Sequence, residues 1–295
     1  MDRDQAPRRS SGLLPRDGVA LLLPGMTLNG SIMPPLPLEA FAVDFTQWVP
    51  GLPDERITMG LYAARLRDVL ARELLWRRQR RIVVAHSFGG MLALQWLLDT
   101  RTDDAATPRG LVLIATTAGP MFDVVRLRLG RLGGTPLRVG VRHLTGIWNR
   151  PAVTRVVKAL LSPSRAQEGR LDFRALRRTT DLAVDLAGWR NTDWRAMRAY
   201  RLAMSGLDLR DRLASLTIPT TILHGTDDAL FPIQVARDLA ARLPNAHLRV
   251  VEGAGHVLPL THGEVVVEAV EELLERAQEP KDRRQTVGGD APPTR

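Results

Sequence analysis

The chain of 295 residues contains no cysteine, which excludes disulfides, thiolate metal sites and a Cys–His protease, and suits a cytoplasmic setting. No apolar run is long enough to span a bilayer. Residues 1–17 carry basic side chains but no apolar stretch of the kind that a secretory signal needs. The expectation is therefore a cytoplasmic protein without a transmembrane segment. The six histidines, His86, His143, His224, His247, His256 and His262, show no H-E-x-x-H or comparable ligand spacing, so no metal is expected. Neither a P-loop nor a dinucleotide-type glycine loop is present, nor an internal repeat, and no cofactor is expected.

What the chain does have is 44% hydrophobic residues, enough for one large core in one domain with an insertion. Its net charge is +9, and the excess is local: residues 119–210 hold 18 Lys and Arg against 7 Asp and Glu. Three readings of this basic segment stand side by side: a solvated face, attraction of anionic substrates, or docking on anionic lipid or nucleic acid. No aromatic-interleaved motif supports nucleic acid, and none is expected as a partner. Residues 1–17 and 278–295 read as tails outside the packed core.

The informative stretch is residues 81–96, RIVVAHSFGGMLALQW, where a β-branched run meets a helical pattern through one serine between small residues. A nucleophile at the tip of a tight strand-to-helix turn has strained backbone angles and needs small residues two before and two after it. Around Ser87 these are Ala85 and Gly89, giving A-x-S-x-G where G-x-S-x-G is usual. The following helix would aim its N-terminal amides and positive dipole end at charge developing beside the serine.

Three further segments follow the same grammar of strand and glycine loop. Residues 19–23 are a buried-strand run ending at Pro24-Gly25-Met26-Thr27. Residues 220–232, TTILHGTDDALFP, read as a strand, a glycine turn carrying two carboxylates, and a proline suited to a helix start. Residues 248–256, LRVVEGAGH, are a strand ending in a glycine-rich loop with a histidine. Strands are also predicted at 41–45 and 110–115, and an amphipathic crossover helix at 58–76 with Leu61, Leu66, Val69, Leu70 and Leu74 near one face. A final helix is predicted over 264–277. Strands alternating with helices imply parallel pairing and right-handed crossovers.

Serine, aspartate and histidine at successive strand ends, in that order, resemble the α/β-hydrolase superfamily over residues 18–277. The resemblance implies an α/β fold with a mostly parallel sheet flanked by helices and a helical lid insertion at 119–210, the core being 18–118 and 211–277. That family's usual opening antiparallel hairpin has no counterpart here, so about six strands are expected. Matched position by position, the resemblance makes Ser87 the nucleophile and His256 of Gly253-Ala254-Gly255-His256 the base. Asp228, fourth in Gly225-Thr226-Asp227-Asp228, becomes the acid, with Asp227 as its competitor. The oxyanion donors would be the amides of Met26 and Phe88, although Pro24 stands where a histidine is commonest. Gly25, Thr27 and Trp189 are expected to contact substrate, with Trp148 and Trp194 also candidates for an acyl pocket. His86, inside the elbow, is read as structural.

The activity that the resemblance implies is hydrolysis of a carboxylic ester or thioester through an acyl-enzyme, with a small-molecule acyl compound as the partner, an anionic one if the basic segment attracts substrate. Two alternatives share the fold: an acyltransferase on the same residues, and a non-catalytic binder or signalling protein. Dehalogenase and epoxide hydrolase chemistry is disfavoured because those enzymes carry Asp where Ser87 stands. The oligomeric state is left open.

Overall fold

The computed structural model describes residues 18–276 apart from 27, 29, 47, 50, 74–75, 77–79, 101–106, 121–193 and 229. Six strands form one parallel sheet: β1 (Gly18–Leu23), β2 (Glu39–Ala42), β3 (Arg80–His86), β4 (Gly110–Ile114), β5 (Thr220–Gly225) and β6 (Ala246–Val251). They lie side by side in the order β2-β1-β3-β4-β5-β6. A parallel sheet is covered on both faces, which is why β1 and β4 are apolar at every position and wholly buried. The period of two sorts their side chains. Val19, Leu21, Val83, Ala85, Leu111 and Leu113 join one core, while Ala20, Ile82, Val84, Val112 and Ile114 join the other.

The first core is covered by α1 (Met59–Arg72), α2 (Phe88–Asp99), α3 (Trp194–Ser205) and α4 (Ile233–Arg242). Helix α1 starts where Thr58 Oγ1 accepts from the Leu61 amide at 3.1 Å, and it buries Met59, Tyr62, Ala63, Leu66 and Leu70. Helix α2 is buried on nearly every side, from Phe88 to Leu97, as its run of apolar residues requires. The second core is closed by α6 (Gly263–Arg276), which follows the single turn α5 (Leu258–Thr261) and buries Val266, Ala269, Val270, Leu273 and Leu274. Among the described residues no helix is long and apolar enough to cross a membrane.

Two predicted elements move furthest. The strand expected at 41–45 occupies Glu39–Ala42, because Phe45 leaves the sheet to pack its ring against Tyr62, Phe88 and Tyr200. The helix expected to reach residue 76 stops at Arg72, and Trp76 instead packs edge-on against Phe41 and Trp96. Of the segment expected to form the lid, residues 121–193 lie outside the described residues. Its end, α3, packs on α1 and buries Ala196, Ala199, Tyr200 and Ala203. Both expected tails also lie outside the described residues.

This strand order has one functional consequence. The chain leaves β1 toward β2 on one side and returns to β3 on the other, so the winding direction reverses between β1 and β3. A crevice opens at the carboxyl ends of strands at such a switch point. Pro24–Gly25 and Ser87 follow directly on these two strands.

Candidate active site

Ser87 joins β3 to α2 with no intervening loop. Its φ of 51° and ψ of −116° lie in a region that L-residues avoid, a strain of about 1–3 kcal/mol that persists only where the surroundings over-determine it. They do so from both sides. The Ser87 amide donates to the Ile114 carbonyl at 2.9 Å, and its own carbonyl accepts from Thr116 Oγ1 at 2.7 Å and from the Gly90 amide at 3.0 Å. Small neighbours are a steric necessity: a Cβ on Gly89 would fall 2.1 Å from the Leu23 carbonyl oxygen. On Gly25 it would fall 2.8 Å from His86 Nδ1 and 3.3 Å from Ser87 Cβ. The Gly25 loop therefore lies directly against the serine.

His256 is buried, and its ring is held edge-on by Phe231 at 5.2 Å and tilted over His86 at 5.0 Å. The Ser87 hydroxyl donates to Nε2 at 3.0 Å, and Nδ1–H donates to Asp228 Oδ2 at 2.9 Å. The other Asp228 oxygen, Oδ1, accepts the amides of Leu230 at 2.7 Å and Phe231 at 2.8 Å. A carboxylate that receives its own i+2 and i+3 amides is an Asx-type turn, which orients the side chain before the histidine arrives. Asp227, the competitor, is exposed and uses its amide to bond the Ala254 carbonyl at 3.0 Å.

Charge is sorted as strictly as geometry. Burial pushes the Asp228 carboxyl up, but the His256 charge and hydrogen bond, the His224 charge and the Phe231 amide outweigh it and hold the group below the usual carboxylate range. Asp228 is thus an anion with one side committed to His256. His86 is driven down to about 3 by burial first and by the neighbouring His256 second, against the pull of the His256 carbonyl and of Asp228. His224 is lowered chiefly by burial, donates Nε2–H to the Phe231 carbonyl at 3.0 Å and sits 3.7 Å from Asp228 Oδ2.

Of the residues predicted from sequence, Ser87, Asp228 and His256 come together in one hydrogen-bonded chain, and Gly25 lies beside it. Met26 is half-buried in the adjoining loop and Phe88 opens α2, and neither amide donates to an acceptor among the described residues. Thr27, Trp148 and Trp189 lie outside the described residues. Sequence reading missed Thr116, which no motif marks, and Phe231, whose place three residues after Asp228 in D-x-x-F-P is a recognisable turn signal. It also missed the aromatic cluster behind Phe88, whose ring lies 4.8 Å from Tyr200 and 5.4 Å from Tyr62. His247 is exposed on β6, and His262 immediately precedes α6.

The chain is similar to several known proteins. Over 248 residues the chain is 25% identical to the pimeloyl-[acyl-carrier protein] methyl ester esterase of Vibrio atlanticus, covering 83% of this chain and 89% of that protein. A shorter match, 38% identical over 76 residues, joins it to polyketide synthase ThaQ of Burkholderia thailandensis, covering 26% of this chain and 4% of that much longer protein. Of the same esterase from Aliivibrio salmonicida the chain spans 29%. Among solved structures, Est816, described as an N-acyl homoserine lactone degrading enzyme, superposes with a TM-score of 0.63 at 21% identity, over 86% of this chain and 92% of that one. The profile of the alpha/beta hydrolase family matches residues 12–269, and the chain belongs to that family.

Proposed function

We propose that the protein is a serine hydrolase that cleaves a small carboxylic ester or thioester through an acyl-enzyme. The observation that carries this reading is the continuous chain from Ser87 Oγ through His256 to Asp228, with links of 3.0 and 2.9 Å. His256 Nε2 takes the hydroxyl proton as Ser87 Oγ attacks the acyl carbonyl, and Asp228 stabilises the imidazolium and keeps its tautomer. The tetrahedral oxyanion is received by the Met26 and Phe88 amides, the latter at the positive end of α2. The intermediate collapses as His256 gives its proton to the leaving alcohol or thiol. Water then repeats the attack with His256 as base, releasing acid and free serine. Similarity over most of the chain to a methyl ester esterase supports an ester as the substrate.

The reading is tested with a fluorescent alkyl-phosphonate and p-nitrophenyl esters of increasing chain length, on the protein and on Ser87→Ala. Labelling should vanish in the variant, and turnover should fall by at least about a thousandfold. Turnover that survives in Ser87→Ala would refute the role of the serine.

A further inference from the structure

His86 is a buried titratable group that the proposed mechanism leaves unused, and of the two such histidines, His86 and His224, it is the one that adjoins Ser87 in the chain and bonds the His256 backbone. It is the last residue of β3 and is completely buried. Its Nε2 lies 2.8 Å from the His256 carbonyl oxygen. A carbonyl can only accept, so the proton sits on Nε2. With the ring neutral, Nδ1 then carries a bare lone pair, and this buried atom has no hydrogen-bond partner among the described residues. It faces the Gly25 loop so closely that a Cβ there would come within 2.8 Å. An apolar side chain of similar shape would fill the same space without stranding a polar atom.

We propose that His86 is a positioning residue for the reaction of Ser87: its Nε2–H holds the His256 backbone while its other edge seats the Gly25 oxyanion loop. This rests on the hydrolase reading given above. One imidazole, fixed to Ser87 by the peptide bond between them, thereby sets the spacing of nucleophile, base and oxyanion loop. A misplacement of about 1 Å among such groups is enough to lower a rate about 100-fold.

Its charge state fits the role. The titratable groups that face it are His256, whose ring centre is 5.0 Å away, and Asp228. Each acyl transfer makes His256 an imidazolium, and a second cation at that distance would oppose it. A ring that stays neutral well below neutrality clamps the backbone without that opposition.

The test compares His86→Leu with His86→Gln, whose side-chain amide can still donate to the His256 carbonyl. Active sites are counted by phosphonate titration, so that misfolded protein does not enter kcat. For His86→Leu, kcat per titrated site should fall about 10- to 100-fold with KM changed less than about threefold. The low-field proton resonance of the His256 Nδ1–H should shift or broaden. His86→Gln should regain most of the lost kcat and the resonance. Equal kcat per site in His86→Leu, or no recovery in His86→Gln beyond His86→Leu, overturns the proposal.

A second measurement needs no variant. Nitrogen-15 spectra of histidine-labelled protein should show His86 neutral, protonated on Nε2 and bare on Nδ1, from about pH 5 to 9. A proton on Nδ1 in that range overturns the proposal even where His86→Leu does not fold. Absence of labelling and turnover in the unaltered protein would instead refute the hydrolase reading, whatever the His86 tautomer.

Discussion

Gly225 and Ala254 meet backbone to backbone: a Cβ on Gly225 would lie 2.0 Å from the Ala254 carbonyl oxygen. The turn that carries Asp228 and the loop that carries His256 are thus one packed unit. Three further bonds tie them: Thr226 N to the Val251 carbonyl at 3.0 Å, Asp227 N to the Ala254 carbonyl at 3.0 Å, and Gly253 N to Thr226 Oγ1 at 2.8 Å. Gly225→Ala must push the two apart. We expect kcat to fall about 100-fold or more and stability by about 1–3 kcal/mol, read from ester turnover and urea midpoints.

The two adjacent carboxylates make a direct contrast. Asp228→Asn keeps the shape of the turn but withdraws the anion that fixes the His256 tautomer, and kcat should drop about 10⁴-fold. Asp227→Asn alters an exposed side chain and should leave kcat within about threefold of the starting value. Equal losses at the two positions would contradict the roles assigned here.

Acid stability should follow the buried histidines. Between pH 6.5 and about 3 the unfolded chain binds a proton at His86 that the folded chain refuses, so stability falls as pH is lowered through that window. His224, also lowered, acts in the same direction. The slope is about 1.4 kcal/mol per pH unit for each such group. Asp228 adds stability that is complete above its unfolded value of 3.8 and is lost as pH falls through its lower folded value. Urea midpoints measured from pH 7 to 4 should therefore decline less steeply in His86→Gln than in the unaltered protein.

Thr116 offers a smaller effect. Its hydroxyl donates to the Ser87 carbonyl at 2.7 Å, and its side chain fills the space that a Cβ on Gly90 would need. Thr116→Val keeps the packing and removes the donor. The expected cost is about 1 kcal/mol of stability, with kcat reduced about three- to tenfold as the elbow loses one of its restraints.

Much of the architecture was readable because it is written in local rules. Small residues around Ser87, glycine turns at strand ends and apolar runs are all short-range demands, and the elbow of β3, Ser87 and α2 falls where they place it. The choice of Asp228 over Asp227 came from the resemblance to a G-x-x-D turn and from no local rule, because it depends on which carboxylate turns inward when the Leu230 and Phe231 amides close on one of them. The bond from His86 to His256 joins positions 170 apart, and no pattern in a single sequence encodes such a contact. Tyr62 escaped for another reason: it sits between Leu61 and Leu66 on α1, yet it is Tyr62 that is completely buried and Leu61 that is half-exposed. The face was set by the rings of Phe45 and Tyr200, which come from distant parts of the chain.

The pairing of β4 with β5 closes about a hundred residues of intervening chain, a loop whose entropy opposes late assembly more than it opposes final stability. During synthesis β3 and Ser87 emerge well before β5, β6 and the two loops that carry Asp228 and His256. Until they dock, Ser87 is an ordinary hydroxyl with no base beside it. On the proposed mechanism a nascent chain, or one cut before these loops, should be chemically silent, and reactivity toward a phosphonate during refolding should report the final docking event rather than the collapse of the sheet.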